Sequence, residues 1–201
     1  MALYDNWIRR QKERIFARIV AALRFRILSS VKAPIVTERE FMATTGNHGL
    51  FAEKLRKLGQ PQAAVDIRRN ALHVGICWLR LGREHLDDAE VALSANRARS
   101  VFSRSYYAAY NASKAVRYIV IGTVSLKGDD HSKASDLPDD FPDAEKWAEM
   151  IPKLLEHREF SDYDNWDSTP SQYTLSPNQA FELAKEFLLA SQSYLHAKFG
   201  I

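Results

Sequence analysis

One cysteine in 201 residues has nothing to pair with inside the chain. Cys77 therefore excludes an internal disulfide and fits a reducing compartment. It stands between Ile76 and Trp78 in an apolar helical stretch, where a thiol packs as a small inert hydrophobe. Long apolar runs are missing too, and none approaches the roughly 18 residues of a membrane span. The opening MALYDNWIRRQKER carries charges where a secretory signal needs its apolar segment. The expectation is a cytoplasmic protein with no membrane span. Glycine-rich phosphate loops are absent, which argues against a conventional nucleoside-triphosphatase, and serine-nucleophile signatures are absent as well. The six histidines never fall three or four residues apart, and no His/Cys cluster exists. Asp162, Asp164 and Asp167 imitate the start of a calcium loop but lack its central glycine and final glutamate. Neither a metal nor a cofactor is expected. Glycine and proline number eight and seven, too few for a fibrous or disordered chain.

What is present is ordinary globular composition, 46% hydrophobic and 26% charged, with enough chain for one sizeable core or two small ones. The net charge of +3 conceals a division: residues 1–32 carry +6, residues 33–127 another +6, and residues 128–201 carry −9. Two readings stay open. The acidic part folds back on the basic part or pairs with it in a dimer, or the basic part faces a polyanion such as RNA or DNA.

The periodicity is helical throughout. Residues 4–29 read as a basic amphipathic helix, with Ile8, Ile15, Ile19 and Leu23 on its apolar stripe. Val31 to Pro34 interrupts it, and Thr37 with Glu40 forms a capping box for a second, short helix. A loop at 44–49 precedes another short helix from about Leu50 to Gly59. Pro61 then opens a long helix to about Leu93, in which Gly75 and Gly82 mark either close packing or a bend. Ser94-Ala95-Asn96 is a tight turn into a central helix, so the two helices should run antiparallel. A loop of about 20 residues follows Gly122. A helix from near Asp143 contains Pro152, which kinks or splits it. Ser176-Pro177-Asn178-Gln179 combines a cap, a first-turn proline and a capping-box partner for the last helix. No stretch alternates as a strand. The fold class is all-α: an antiparallel bundle over 61–201 with a basic helical extension over 1–60.

The central helix, Ala98 to Gly122, is small or apolar on most sides, as befits a buried element. One line along it is polar. Arg97, Arg104, Asn111 and Tyr118 recur every seven residues, flanked by Tyr107 and Lys114, and such spacing places them on one side. A charged seam on a buried helix must be paired, hydrogen-bonded or open to a cleft. The string HREFSDYD at 157–164 supplies Arg158, Asp162 and Tyr163. An Arg104–Asp162 pair is one expectation for the seam. The other is a cleft in which arginine and tyrosine bind a phosphate or nucleotide.

SRSYYAAYNASKAVRY resembles the R-x-Y-Y-A-x-x-x-A helix of the HEPN (higher-eukaryote and prokaryote nucleotide-binding) superfamily. HREFSDYD resembles that superfamily's R-x-x-x-D-Y helix end. The likeness covers about residues 83–197 and leaves 1–60 without a counterpart. It implies a bundle of four or five helices, commonly a homodimer. It also implies either a metal-independent RNase or a non-catalytic nucleotide- or RNA-binding partner, often of a nucleotidyltransferase, in toxin–antitoxin or defence systems. The RNase members carry an arginine followed, after four to six residues, by a histidine. Here Asn111 stands in that place after Arg104, and His157 precedes Arg158 rather than following it. Asparagine hydrogen-bonds but does not shuttle protons. The first expectation is thus a non-catalytic binding module using Arg97, Arg104, Tyr107, Asn111, Lys114, Arg158, Asp162 and Tyr163. The second is an endoribonuclease with Arg104 and Arg158 on the phosphate and His131 as proton carrier. The third is a structural partner that docks through the basic N-terminal helix.

Overall fold

The computed structural model describes residues 45–125, 128–163 and 173–200. The expected helix over 4–29 and the short helix after Thr37 lie outside them, as do Asp164 and Asp167. Five α-helices are described: α1 His48–Lys57, α2 Pro61–Ser94, α3 Ala98–Val116, α4 Ala144–Tyr163 and α5 Pro177–Phe199. A π-helix over Arg117–Ile121 continues α3, and a 3-10 helix over Gly128–Lys133 lies between it and α4. The chain divides into two compact units, residues 1–74 with 122–126 and residues 75–121 with 127–201.

In the first unit, the stretch expected as a loop at 44–49 already contains the start of α1. Asn47 accepts from the Leu50 amide through its side chain (3.0 Å) and so caps the helix. An isolated bridge joins Asn47 to Thr123, and the Val124 amide donates to the Gly46 carbonyl (2.9 Å). Gly122 has φ +86, and a Cβ there would meet the Gly49 Cα at 3.2 Å. Only glycine suits both the dihedral and the space.

The second unit is the bundle. The turn at 94–96 closes with Asn96 at φ 54 and the Arg97 amide on the Ala92 carbonyl (2.8 Å). A Cβ on Gly82 would meet the Ala108 carbonyl at 3.0 Å; seven residues back, one on Gly75 would lie 3.6 Å from the Ala115 carbonyl. Seven steps down α2 match seven steps up α3, which is antiparallel register. The two glycines therefore mark close packing. Ser105, Ala108, Ala109, Ala112 and Ala115 of α3 are fully buried, their small size admitting neighbouring backbones; α3 packs on both α4 and α5. Pro152 neither splits nor ends α4, which is one helix from 144 to 163 with one backbone donor fewer. It thus carries Arg158, Asp162 and Tyr163 on regular helix. The capping box at Ser176 and Gln179 has both hydrogen bonds in place (3.2 and 2.8 Å). Trp147, Phe141 and Phe187 fill the layer between α4 and α5, with ring centroids 4.9 and 5.7 Å apart about Phe187.

Gly82→Ala tests the contact. Helix propensity alone favours alanine by about 1 kcal/mol, but the Ala108 carbonyl belongs to a packed helix and cannot swing away. We expect a net loss of about 1 kcal/mol or more in denaturant unfolding; a gain would mean that α2 and α3 are not in close contact there.

Candidate functional site

The middle of α3 presents Tyr106, Tyr107 and Tyr110, and three other segments bring polar side chains to them. From α4 comes Arg158, whose Nη2 donates to the Tyr107 hydroxyl at 2.7 Å. Its guanidinium carbon lies 5.3 Å from the Tyr107 ring centre and 4.9 Å from that of Tyr163, within cation–π range. Its Nε lies 2.8 Å from an Asp162 carboxylate oxygen, although the N–H is not aimed along that line; the contact is an ion pair more than a directed hydrogen bond. The Arg158 side chain is only 13% exposed. Asp162 also accepts from Ser103 Oγ (3.5 Å).

From α2 comes His85, its ring 5.5 Å from that of Tyr107. Arg104 Nη1 lies 3.2 Å from His85 Nδ1. A guanidinium only donates, so Nδ1 accepts and the ring proton sits on Nε2. Arg104 also lies 3.7 Å from Asp88. The expected Arg104–Asp162 pair is therefore replaced by two separate pairs, because Asp162 is one helical turn from Arg158 on α4 and reaches it first.

From the 3-10 segment comes His131. Its ring stacks on Tyr110 with centroids 4.4 Å apart and meets Tyr107 edge-on at 6.3 Å. Its Nδ1 is 2.7 Å from the Tyr106 hydroxyl. Burial, then the positive charge of Arg158, holds His131 below its ordinary value of 6.5. Burial and then Arg104 do the same to His85. Both imidazoles are thus neutral near pH 7. Burial pushes the Tyr106 and Tyr110 hydroxyls up, and in Tyr110 a hydrogen bond to Asp130 adds to it. Both stay protonated.

Other seam residues are placed differently. Tyr118 is fully buried and packs on Trp78 with rings 5.2 Å apart; it belongs to the core and not to a cleft. Asn111 is 6% exposed and donates its amide to the Tyr107 carbonyl of its own helix (2.8 Å). Lys114 Nζ lies 4.4 Å from the Trp78 ring centre. Arg97 stands at the start of α3 and lines a smaller hollow of about 240 Å³ with Ser176 and Asn178. A groove of about 910 Å³ between α2 and α5, lined by Arg80, Arg83, Gln192 and His196, contains none of the seam. The chemistry-bearing side chains lie around Tyr107, away from the larger of these hollows. His85 was not legible as a site residue, since its position on α2 reveals nothing of α3 beside it.

Arg117 and Asp130 form a second polar centre nearby. Both are almost wholly buried and joined through two hydrogen bonds of 3.0 and 3.1 Å. Removing either partner of such a pair costs about 3–5 kcal/mol. Among the described residues, no group of three or more His, Cys, Asp or Glu side chains could hold a metal ion, and no helix is long and apolar enough to cross a membrane.

A family model for the HEPN domain matches residues 77–193, more than half of the chain. No curated protein and no solved structure matches it.

The depressed histidines set a pH dependence. The unfolded chain takes up protons near pH 6.5, whereas His85, His131 and the buried His157 resist them in the folded state. Their contribution is intact above about pH 6.5 and is lost as the pH falls through the lowered folded values. Denaturant midpoints should drop between about pH 7 and pH 5, and less steeply in His131→Gln. Equal slopes in the two proteins would contradict the burial of this ring.

Proposed function

Since the chain belongs to the HEPN family, we propose that it is a nucleotide- or RNA-binding module whose binding surface centres on Tyr107 and Arg158. The observation that carries this is the setting of Arg158: a guanidinium between two tyrosine rings, anchored by a hydroxyl, with His131 and the Arg104–His85 pair about the same tyrosine. A phosphodiester can take the place of Asp162 on the guanidinium, bidentate and charge-assisted, while tyrosine faces offer stacking to bases without demanding a sequence. Arg104 and Lys114 extend the positive charge along α3, while Arg97, in its own hollow, and Asn111, bonded to the Tyr107 carbonyl, stand apart from the proposed surface. The proposed setting, a homodimer in a toxin–antitoxin or defence system with a nucleotidyltransferase as candidate partner, rests on family membership.

One observation favours cleavage as a second reading. His131 is neutral near pH 7 and its ring adjoins Tyr107, over which Arg158 lies. A neutral imidazole can accept the proton of a ribose 2′-hydroxyl as that oxygen bonds to the adjacent phosphorus and the P–O5′ bond breaks; the imidazolium then returns the proton to the departing 5′-oxygen, leaving a 2′,3′-cyclic phosphate. The guanidinium would stabilise the charge that develops on the phosphoryl oxygens. Asn111 cannot take the imidazole's part in this, so His131 is required for it.

Binding of labelled single-stranded RNA at two salt concentrations tests the first reading. We expect affinity that weakens as salt rises, and a loss of about tenfold or more in Arg158→Met with helix content unchanged. Absence of salt-dependent binding at micromolar protein contradicts it. Incubation of the same RNA with chelator present tests the second: cleavage should vanish in His131→Ala, and cleavage that survives excludes His131 as the proton carrier.

A further inference from the structure

Arg117 opens the π-helix that follows α3 and is 3% exposed. Its guanidinium meets the Asp130 carboxylate fork to fork, and its Nε donates to Ser113 Oγ at 3.1 Å. Ser113 Oγ in turn donates to the Ala134 carbonyl at 2.5 Å. The Tyr110 hydroxyl donates at 2.8 Å to Asp130 Oδ2, the oxygen that also accepts from Arg117 Nη2. Residues 110, 113 and 117 lie on one side of the helix, and together they grip residues 130–134.

His131 is the residue next to Asp130. A 3-10 stretch of six residues has weak hydrogen bonding of its own, so its internal bonds do little to fix where the imidazole stands. The external grip fixes it. A buried ion pair is a poor device for stability alone, since apolar side chains of similar volume often do as well or better. What the pair supplies here is register, because a fork-to-fork contact is satisfied in one placement of the segment.

We propose that Arg117 is a positioning residue: through Asp130 it holds His131 against Tyr106 and Tyr110, beside Arg158. This rests on the reading that the surface around Tyr107 binds RNA, and it adds that the site is completed by a segment clamped from beneath. Loss of the clamp leaves Arg158 and Tyr107 in place and releases the imidazole.

The test reads the ring contact and RNA binding separately. In the full-length protein, the nuclear Overhauser cross-peak between the His131 and Tyr110 rings should be present in the wild type, weakened in Arg117→Lys, which keeps the charge but not the fork, and lost in Arg117→Met. RNA affinity of Arg117→Met should fall to that of His131→Ala. Tyr110→Phe takes one hydroxyl from the clamp and keeps the ring, so it should weaken the cross-peak even where Arg117→Met does not fold. A cross-peak of wild-type strength in Tyr110→Phe, or in folded Arg117→Met, overturns the proposal. If the wild type binds no RNA, the reading of the surface fails, while the ring contact still decides the clamp.

Discussion

A helix packed among α2, α4 and α5 has little water to offer its polar side chains, and α3 carries several. Each must find a partner in the protein or lie at an edge where solvent or a ligand can reach. Most of the site follows from how that demand is met. Asn111 turns back to the carbonyl of Tyr107, Arg117 takes Asp130, and Ser113 joins the Ala134 carbonyl to Arg117. Tyr118 goes fully into the core against Trp78. On the flank of Tyr107 the demand is met by charged groups from other helices, and there the surface stays part open, with Arg104 and Asp162 partly exposed.

The same demand bears on the split between basic and acidic stretches. The buried pair Arg117–Asp130 joins them, one partner from each side. Arg104–Asp88 and Arg158–Asp162 each stay within their own stretch. The division of charge is thus partly spent inside the bundle. The guanidinium groups around Tyr107 already have carboxylate neighbours, and a nucleic acid would have to compete with these. Such competition would make the proposed binding sensitive to ionic strength.

How much was legible depended on the range of the interaction. Helix periodicity, the Ser176 capping box and the stop at Gly122 are local, and the sequence carries them plainly. The heptad from Arg97 to Tyr118 was legible as a line, but which of its members face a cleft was not, because that depends on what packs against each turn. Pairing was the least visible. Arg104 and Asp162 match in charge, yet Asp162 has a nearer cation one turn away on its own helix. Asp130 lies in a stretch that reads as a loop, and nothing local marks it as the partner of Arg117. His85 joins the site only through the antiparallel register of α2 and α3, which the two glycines encode but do not reveal without coordinates.

The proposed ligand surface is the Tyr107 flank of α3. Histidine and tyrosine ring signals followed while a short oligoribonucleotide is titrated into the protein test it most directly. Progressive shifts are expected for His85, His131 and Tyr107, with His196, in the groove between α2 and α5, unmoved. Shifts confined to His196, with the rings around Tyr107 silent, would contradict it.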